Sequence, residues 1–175
     1  MKWVPVAEVA RPHGVRGELR LRLFNPESDL LLQLDELLIR LSDGSEHEVS
    51  VDGARRANDA ILMKLFSVDD RDGAAQLRGA VLCARREDFP PLAPGEFYAC
   101  DVEGARVIVG DGDVGGCELG RVRTLRSYPG AQVLVVDAAE DEGSWEVPLV
   151  DSVVRSIDLE ANLVTLATME GVERA

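Results

Sequence analysis

The segment Gly110-Asp111-Gly112-Asp113-Val114-Gly115 has the G-x-G-x-x-G spacing with which dinucleotide-binding proteins approach a pyrophosphate. A strand-like run precedes it, as that motif requires. The residues that follow, 117–125, also resemble a strand, whereas the motif needs the amino end of a helix there. The two aspartates inside the segment would also repel phosphate. The pattern therefore predicts a turn, and a nucleotide-using enzyme is kept as the alternative function.

The spacing of the residues gives little support for a metal-binding site or a catalytic nucleophile. As a calcium loop, segment 111–122 has Val122 where the bidentate glutamate is needed. The two histidines, His13 and His47, have no second ligand at helical spacing. The three cysteines form no C-x-x-C pair and are expected to be small buried residues: Cys83, Cys100 and Cys117. We therefore expect no catalytic residue, no metal and no cofactor.

Five basic or potentially basic groups fall on one predicted hairpin, and these are Arg11, His13, Arg16, Arg20 and Arg22. Arginine forks suit phosphate oxygens. Gly14 and Gly17 in the connection would let the backbone approach a ligand closely. The alternative is a loop that only needs glycine torsions. The hairpin is a candidate contact for RNA.

Adjacent aromatic residues, Phe97 and Tyr98, follow a proline-rich stretch. On an extended segment they would point to opposite faces, one towards the core and one towards solvent. Exposed aromatic side chains are good interface anchors. The alternative is that both are half-buried at a domain junction.

Charge divides the chain of 175 residues unevenly. Residues 1–90 carry 13 basic and 16 acidic side chains, whereas residues 91–175 carry 6 and 16. A surface that grips a phosphate backbone should be basic, so the second half is suited to a basic partner instead. The alternative is that the charge serves solubility alone. No apolar run approaches the roughly 20 residues of a membrane helix, and the first residues do not resemble a secretory signal, which favours the cytoplasm.

The hydrophobic pattern predicts an all-β protein of two small β-barrels. In the first half, residues 16–24 alternate charged and leucine side chains, and further strands are predicted at 4–9, 37–41, 46–51, 60–66 and 80–84. One short helix capped by Asp69 or Asp70 is expected to run to Arg78, with Gly79 as its stop. The second half shows six strand candidates, at 105–109, 118–125, 132–136, 144–147, 153–157 and 163–166. Prolines at 90, 91 and 94 mark a linker. The predicted domains are 1–86 and 96–175, joined by 87–95.

Several segments together resemble the RimM family of bacterial ribosome maturation factors. Residues 6–19, with Pro12-His13-Gly14-Val15-Arg16-Gly17-Glu18, resemble the opening strand and hairpin of that family. Residues 70–79 resemble its D-R-x-x-A-x-x-L-R-G helix, and 96–104 resemble the start of its PRC-barrel. Residues 119–122 and 147–158 continue that barrel in order. This chain has Phe97-Tyr98-Ala99 where the family usually has Tyr-Tyr-Trp.

The resemblance implies a non-catalytic assembly factor that binds the maturing small ribosomal subunit and assists processing of its rRNA. It implies as partner the small-subunit ribosomal protein number nineteen, with Phe97 and Tyr98 as the contact. The basic hairpin fits such a role as a contact for rRNA, and we expect a monomer that does not associate with a membrane. A PRC-barrel interaction module with another basic partner is a further alternative.

Overall fold

The alternation of leucine and charged residues around Arg20 and Arg22 builds a strand with one buried face, as predicted. Leu19, Leu21 and Leu23 are buried, whereas Arg22 is exposed. The structure, a computed structural model, describes residues 2–110, 116–140 and 143–175. It divides into two compact units, Met1–Pro91 (unit 1) and Leu92–Ala175 (unit 2).

Unit 1 is a closed six-stranded barrel. Its elements are β1 (Trp3–His13), β2 (Glu18–Leu23), β3 (Glu36–Arg40), β4 (Glu46–Ala57), β5 (Ala60–Leu65), α1 (Arg71–Gln76) and β6 (Val81–Arg85). The strand order is β1-β2-β5-β4-β3-β6, and each pair described is antiparallel. Two single 3-10 turns, Leu30–Leu32 and Arg86–Asp88, complete the unit. The inward-facing aliphatic side chains of the six strands form its core.

The predicted helix of unit 1 is present and begins where its cap was expected. The Asp70 carboxylate accepts a hydrogen bond of 2.7 Å from the backbone N–H of Gly73, as an N-cap does. The helix ends at Gln76, two residues before the predicted end at Arg78. Gly79 follows with a φ of 81°, a left-handed conformation that stops a helix.

Unit 2 is a seven-stranded sheet preceded by one helical turn. Its elements are α2 (Ala99–Val102), β7 (Arg106–Val109), β8 (Cys117–Tyr128), β9 (Ala131–Ala138), β10 (Ser144–Pro148), β11 (Val154–Asp158), β12 (Leu163–Leu166) and β13 (Glu173–Arg174). The order is β11-β12-β7-β8-β9-β10-β13, with β12 parallel to β7. The all-β fold is confirmed, and each of the six predicted strands has its counterpart. The one-turn helix α2 and the two-residue strand β13 were not predicted, because such short elements leave no periodic pattern.

The three cysteines do not share one environment. Cys83 and Cys100 are buried, as expected, but Cys117 is exposed at the start of β8. The expectation that all three are buried was therefore wrong for Cys117.

Candidate functional sites on the two units

The predicted basic residues lie on the outer surface of unit 1. Backbone pairing of β1 with β2 places Arg11 opposite Arg20 and Glu8 opposite Arg22. Opposite residues of an antiparallel pair project from the same face, and here that face points away from the leucine core. His13 lies opposite Glu18 on the same face, and the turn between the strands adds Arg16. We call this surface the basic face; its members are Arg11, His13, Arg16, Arg20 and Arg22.

Two members of the basic face already have carboxylate partners. A guanidinium nitrogen of Arg20 lies 2.7 Å from a carboxylate oxygen of Asp59, and one of Arg22 lies 2.5 Å from Glu8. The Asp59 side chain is largely exposed to solvent. Exposed ion pairs contribute at most about 1 kcal/mol, so a phosphate could replace either carboxylate at little cost.

The other three members, Arg11, His13 and Arg16, are exposed. Within the described part of the chain, none of their side chains forms a hydrogen bond or an ion pair. Their charge-bearing groups are therefore directed to solvent and available to an anionic partner.

The turn that carries Arg16 is held against its own barrel. Gly14 and Gly17 have φ angles of 63° and 79°, in the left-handed region that favours glycine. A Cβ atom at Gly17 would stand 2.3 Å from the carbonyl oxygen of Val68, whereas one at Gly14 would meet nothing within 4 Å. The close approach at Gly17 is therefore to the barrel's own backbone and not to open space for a ligand. Gly14 keeps the open backbone that the sequence suggested.

A further cation lies beside this turn. Arg71, the first residue of α1, donates a hydrogen bond of 3.3 Å to the carbonyl oxygen of Gly14. Sequence reasoning did not place Arg71 here, because 57 residues separate it from Gly14. The closure of the barrel brings the two together.

A groove of about 920 Å³ lies on unit 2 and contains both predicted aromatic residues. Its apolar lining comes from three separate stretches of chain. We call it the apolar groove; among its residues are Leu92, Phe97, Tyr98, Val150, Val154 and Leu159. The two aromatic side chains thus do not divide between core and solvent, since both are half-buried and line the same groove.

The start of α2 fixes the two aromatic residues in place. Phe97 packs against the buried core of unit 2. Next to it, the backbone N–H of Tyr98 donates to the Asp101 carboxylate at 3.1 Å, and the Asp101 N–H donates to the Tyr98 carbonyl at 2.8 Å. These two bonds order the backbone at Tyr98, so the aromatic part of the lining is preformed and a partner would have little backbone entropy to remove there.

Exposed aliphatic side chains surround this pair. Val150 is 49% exposed and Leu159 is 42% exposed, and both line the groove together with the half-buried Val154. Sequence reasoning missed them because residues 150–159 follow the aromatic pair by more than fifty positions. Exposed apolar side chains gathered in one concave surface are typical of a binding site for another macromolecule.

The arginines of unit 2 do not offset its acidic surface. At least five of the six are engaged within the unit: Arg106 with Glu118, Arg123 with Asp137, Arg126 with Glu146, Arg121 with the Gly104 carbonyl and Arg174 over the Trp145 ring. Two acidic residues, Glu96 and Asp151, line the apolar groove together with one cation, Arg155, and the acidic residues Asp158 and Glu160 flank Leu159 in sequence. The surroundings of the groove are therefore acidic.

Two of these pairs also shift ionisation equilibria. The hydrogen bond from Arg106 is the main cause that lowers the pKa of Glu118, and it outweighs the opposite effect of partial burial. The hydrogen bond to Asp137 is the main cause that raises the pKa of Arg123. In both pairs the hydrogen bond favours the charged form of the group.

Metal-ligating side chains do not form a cluster in the described part of the chain. Among residues 2–110, 116–140 and 143–175, no three histidine, cysteine or acidic side chains lie close enough to hold a metal ion. The G-x-G-x-x-G segment lies outside the described residues except for Gly110. No helix in the described ranges is long and apolar enough to span a membrane.

Comparison with known proteins matches both units to domains of one family. The RimM N-terminal domain matches residues 4–89, and the RimM PRC barrel domain matches residues 101–172. The ribosome maturation factor RimM of Sorangium cellulosum is 53% identical over 171 residues, which cover 98% of each chain. That of Myxococcus xanthus is 33% identical and covers 98% of this chain and 88% of its own. A 16S ribosomal RNA processing protein RimM of Pseudomonas aeruginosa, known as a crystal structure, is 25% identical over 95% of this chain and 98% of that one, with a TM-score of 0.47.

Proposed function

The chain belongs to the RimM family of ribosome maturation factors, and from that premise we propose that it is a non-catalytic assembly factor of the small ribosomal subunit. It binds the maturing subunit in the cytoplasm, holds a ribosomal protein and nearby rRNA in a productive arrangement, and then leaves. Each unit takes one of the two partners.

Unit 2 binds the small-subunit ribosomal protein number nineteen through the apolar groove. The observation that carries this proposal is the position of Phe97 and Tyr98 in a preformed apolar groove with acidic surroundings. Ribosomal proteins are basic because they bind rRNA, so an acidic surface attracts them and speeds their encounter. The apolar lining supplies the desolvated centre that holds them.

Unit 1 contacts rRNA through the basic face. The available groups of Arg11, His13 and Arg16 offer charge to phosphates. The Arg20 and Arg22 ion pairs can exchange their carboxylates for phosphate oxygens. Such contacts are local, in keeping with a protein whose net charge is −13.

The main test is a calorimetric titration of the purified ribosomal protein with the full chain. We expect binding that weakens as salt rises, and a loss of at least about tenfold in the double variant Phe97→Ala, Tyr98→Ala. The matched control is Tyr128→Ala, because Tyr128 is an exposed aromatic residue of unit 2 outside the groove. Since Phe97 also packs against the core, circular dichroism checks the fold, and Tyr98→Ala alone provides a milder variant.

A second measurement follows the tagged protein in a cell lysate. We expect it to co-purify with free small subunits and to be released by high salt. Recovery on mature ribosomes alone, capture of an unrelated basic protein in place of the ribosomal one, or turnover of a nucleotide would each contradict the proposal.

A further inference from the structure

The exposed aromatic ring of Phe66 lies at the end of the barrel where the basic face has its turn. Phe66 is 62% exposed, whereas its neighbour Leu65 is fully buried. It follows β5 directly and continues the outward-facing row of that strand, in which Lys64 precedes it. An aromatic ring so open to water contributes little to the barrel's own core.

Three contacts place this end of β5 next to the turn of the basic face. Glu18, the first residue of β2, pairs with Lys64 in the ladder. Gly17 approaches the carbonyl oxygen of Val68 so closely that no Cβ atom would fit. Arg71 donates its hydrogen bond to the Gly14 carbonyl. Residues 68–71 and turn 14–17 are therefore in direct contact, and Phe66 lies two residues before this contact in the chain.

The charges on this surface leave cationic groups available. Arg16 has no partner within the described ranges, and Arg71 is held only by a neutral carbonyl. Two of the nearby carboxylates are engaged: Asp69 lies 3.3 Å from the Lys64 ammonium, and Asp70 caps α1. Glu18, beside Lys64, is paired with Arg55, whereas Asp72 in the first turn of α1 and Asp52 beside Lys64 remain as acidic neighbours.

We propose that this surface binds an unpaired stretch of RNA, with one base stacked on Phe66 and the adjoining phosphates on Arg16 and Arg71. The proposal rests on the proposed function and adds residues to it. Aromatic rings beside arginine forks are the means by which proteins hold single strands, because every base has a face that stacks. A duplex hides those faces, so this arrangement selects unpaired nucleotides.

The test measures binding of the full chain to a labelled ten-nucleotide uridine oligomer by fluorescence anisotropy at several salt concentrations. We expect Phe66→Ala to weaken binding about tenfold, the size of one base stack, and to leave the salt dependence unchanged. Phe66→Trp should retain the affinity. Arg71→Ala should weaken binding and make the slope of log K against log salt shallower by about 0.7, the value for one phosphate on a single strand.

Two matched variants serve as controls. Phe24→Ala removes a ring that is 50% exposed at the opposite end of β2, and Arg78→Ala removes an exposed cation beyond the end of α1. Both control variants should bind the uridine oligomer with nearly the affinity of the parent protein. For an RNA duplex of the same length, the affinity of Phe66→Ala should equal that of the parent protein.

The inference would be overturned if Phe66→Ala and Phe24→Ala bound the uridine oligomer with equal affinity. It would also be overturned if Phe66→Ala weakened binding of a ribosomal protein but left RNA binding intact. If the parent protein ignores the oligomer while charge reversal of Arg16 still reduces association with small subunits, this inference fails and the proposed function stands. If charge reversal has no effect on that association either, the rRNA part of the proposed function fails as well.

Discussion

Arg11 and Arg20 face each other directly across the β1–β2 ladder, and only Arg20 has a carboxylate, that of Asp59, at 2.7 Å. Like charges at opposite positions of an antiparallel pair destabilise the sheet. The barrel therefore keeps a charge at Arg11 that its own stability does not need. A residue with that property is a candidate for binding.

The first prediction separates stability from binding at this position. Arg11→Gln should raise the free energy of unfolding by up to about 0.5 kcal/mol, because it removes the repulsion. It should also weaken association with small subunits and make the salt dependence shallower. Urea unfolding and subunit sedimentation measure the two effects. Arg20→Gln is the comparison, since it removes the same repulsion but also loses the Asp59 pair, and it should therefore gain less stability than Arg11→Gln. A destabilised Arg11→Gln protein with full binding would show that Arg11 is structural.

The second prediction concerns the two glycines of the turn. Gly17→Ala forces a Cβ atom to within 2.3 Å of a backbone oxygen in addition to a positive φ, so we expect a loss of about 3 kcal/mol or more in the free energy of unfolding. Gly14→Ala has the positive φ but open space, and should cost only about 1–2 kcal/mol. Denaturant unfolding of both variants tests the difference, and equal losses would contradict the role given to Val68.

Local alternation was enough to predict the strands but not the surfaces. Leu19 and Arg20 reveal the inner and outer faces of β2 because strand geometry repeats every two residues. Arg71 contacts Gly14 only because the barrel closes. Val150 and Phe97 line the same apolar groove only because of the fold of unit 2. No local pattern encodes such proximity. The adjacent aromatic residues were found from the sequence itself, the family resemblance gave them a partner, and the structure supplied their surroundings.

The third prediction concerns the Glu118 carboxyl group, whose pKa is lowered mainly by its hydrogen bond with Arg106. A carboxyl group with a lower pKa in the folded state stabilises the fold above its unfolded pKa, and that stabilisation is lost as the pH falls through the folded pKa. In Arg106→Gln, the pKa of Glu118 should therefore rise towards the usual glutamate value of about 4.3. Side-chain NMR titration measures it, with Arg126→Gln as the control that should leave Glu118 unaffected.

The fourth prediction uses the different environments of the cysteines. Cys117 is exposed, while Cys83 and Cys100 are buried, and burial is the main cause that raises the pKa of the Cys83 thiol. Because the thiolate is the reactive form, one thiol per chain should react with a disulfide reagent in the native state and three after unfolding. Cys117→Ser should abolish the native reaction. Rapid modification of that variant would mean that Cys83 or Cys100 is accessible in solution.

The last prediction examines the rim of the apolar groove without touching Phe97, whose packing complicates any truncation. Val150→Glu and Leu159→Glu place charge on side chains that are 49% and 42% exposed, so the fold should survive. Each carboxylate would have to be desolvated when a partner covers the groove, which should weaken binding of the ribosomal protein by about tenfold or more. Met169→Glu is the matched control, because Met169 is 37% exposed and does not line the groove. The control adds the same negative charge to the same acidic unit, so it should bind the basic partner as well as the parent protein does. If all three variants bound equally, long-range charge alone would hold the partner and the groove would have no part in binding.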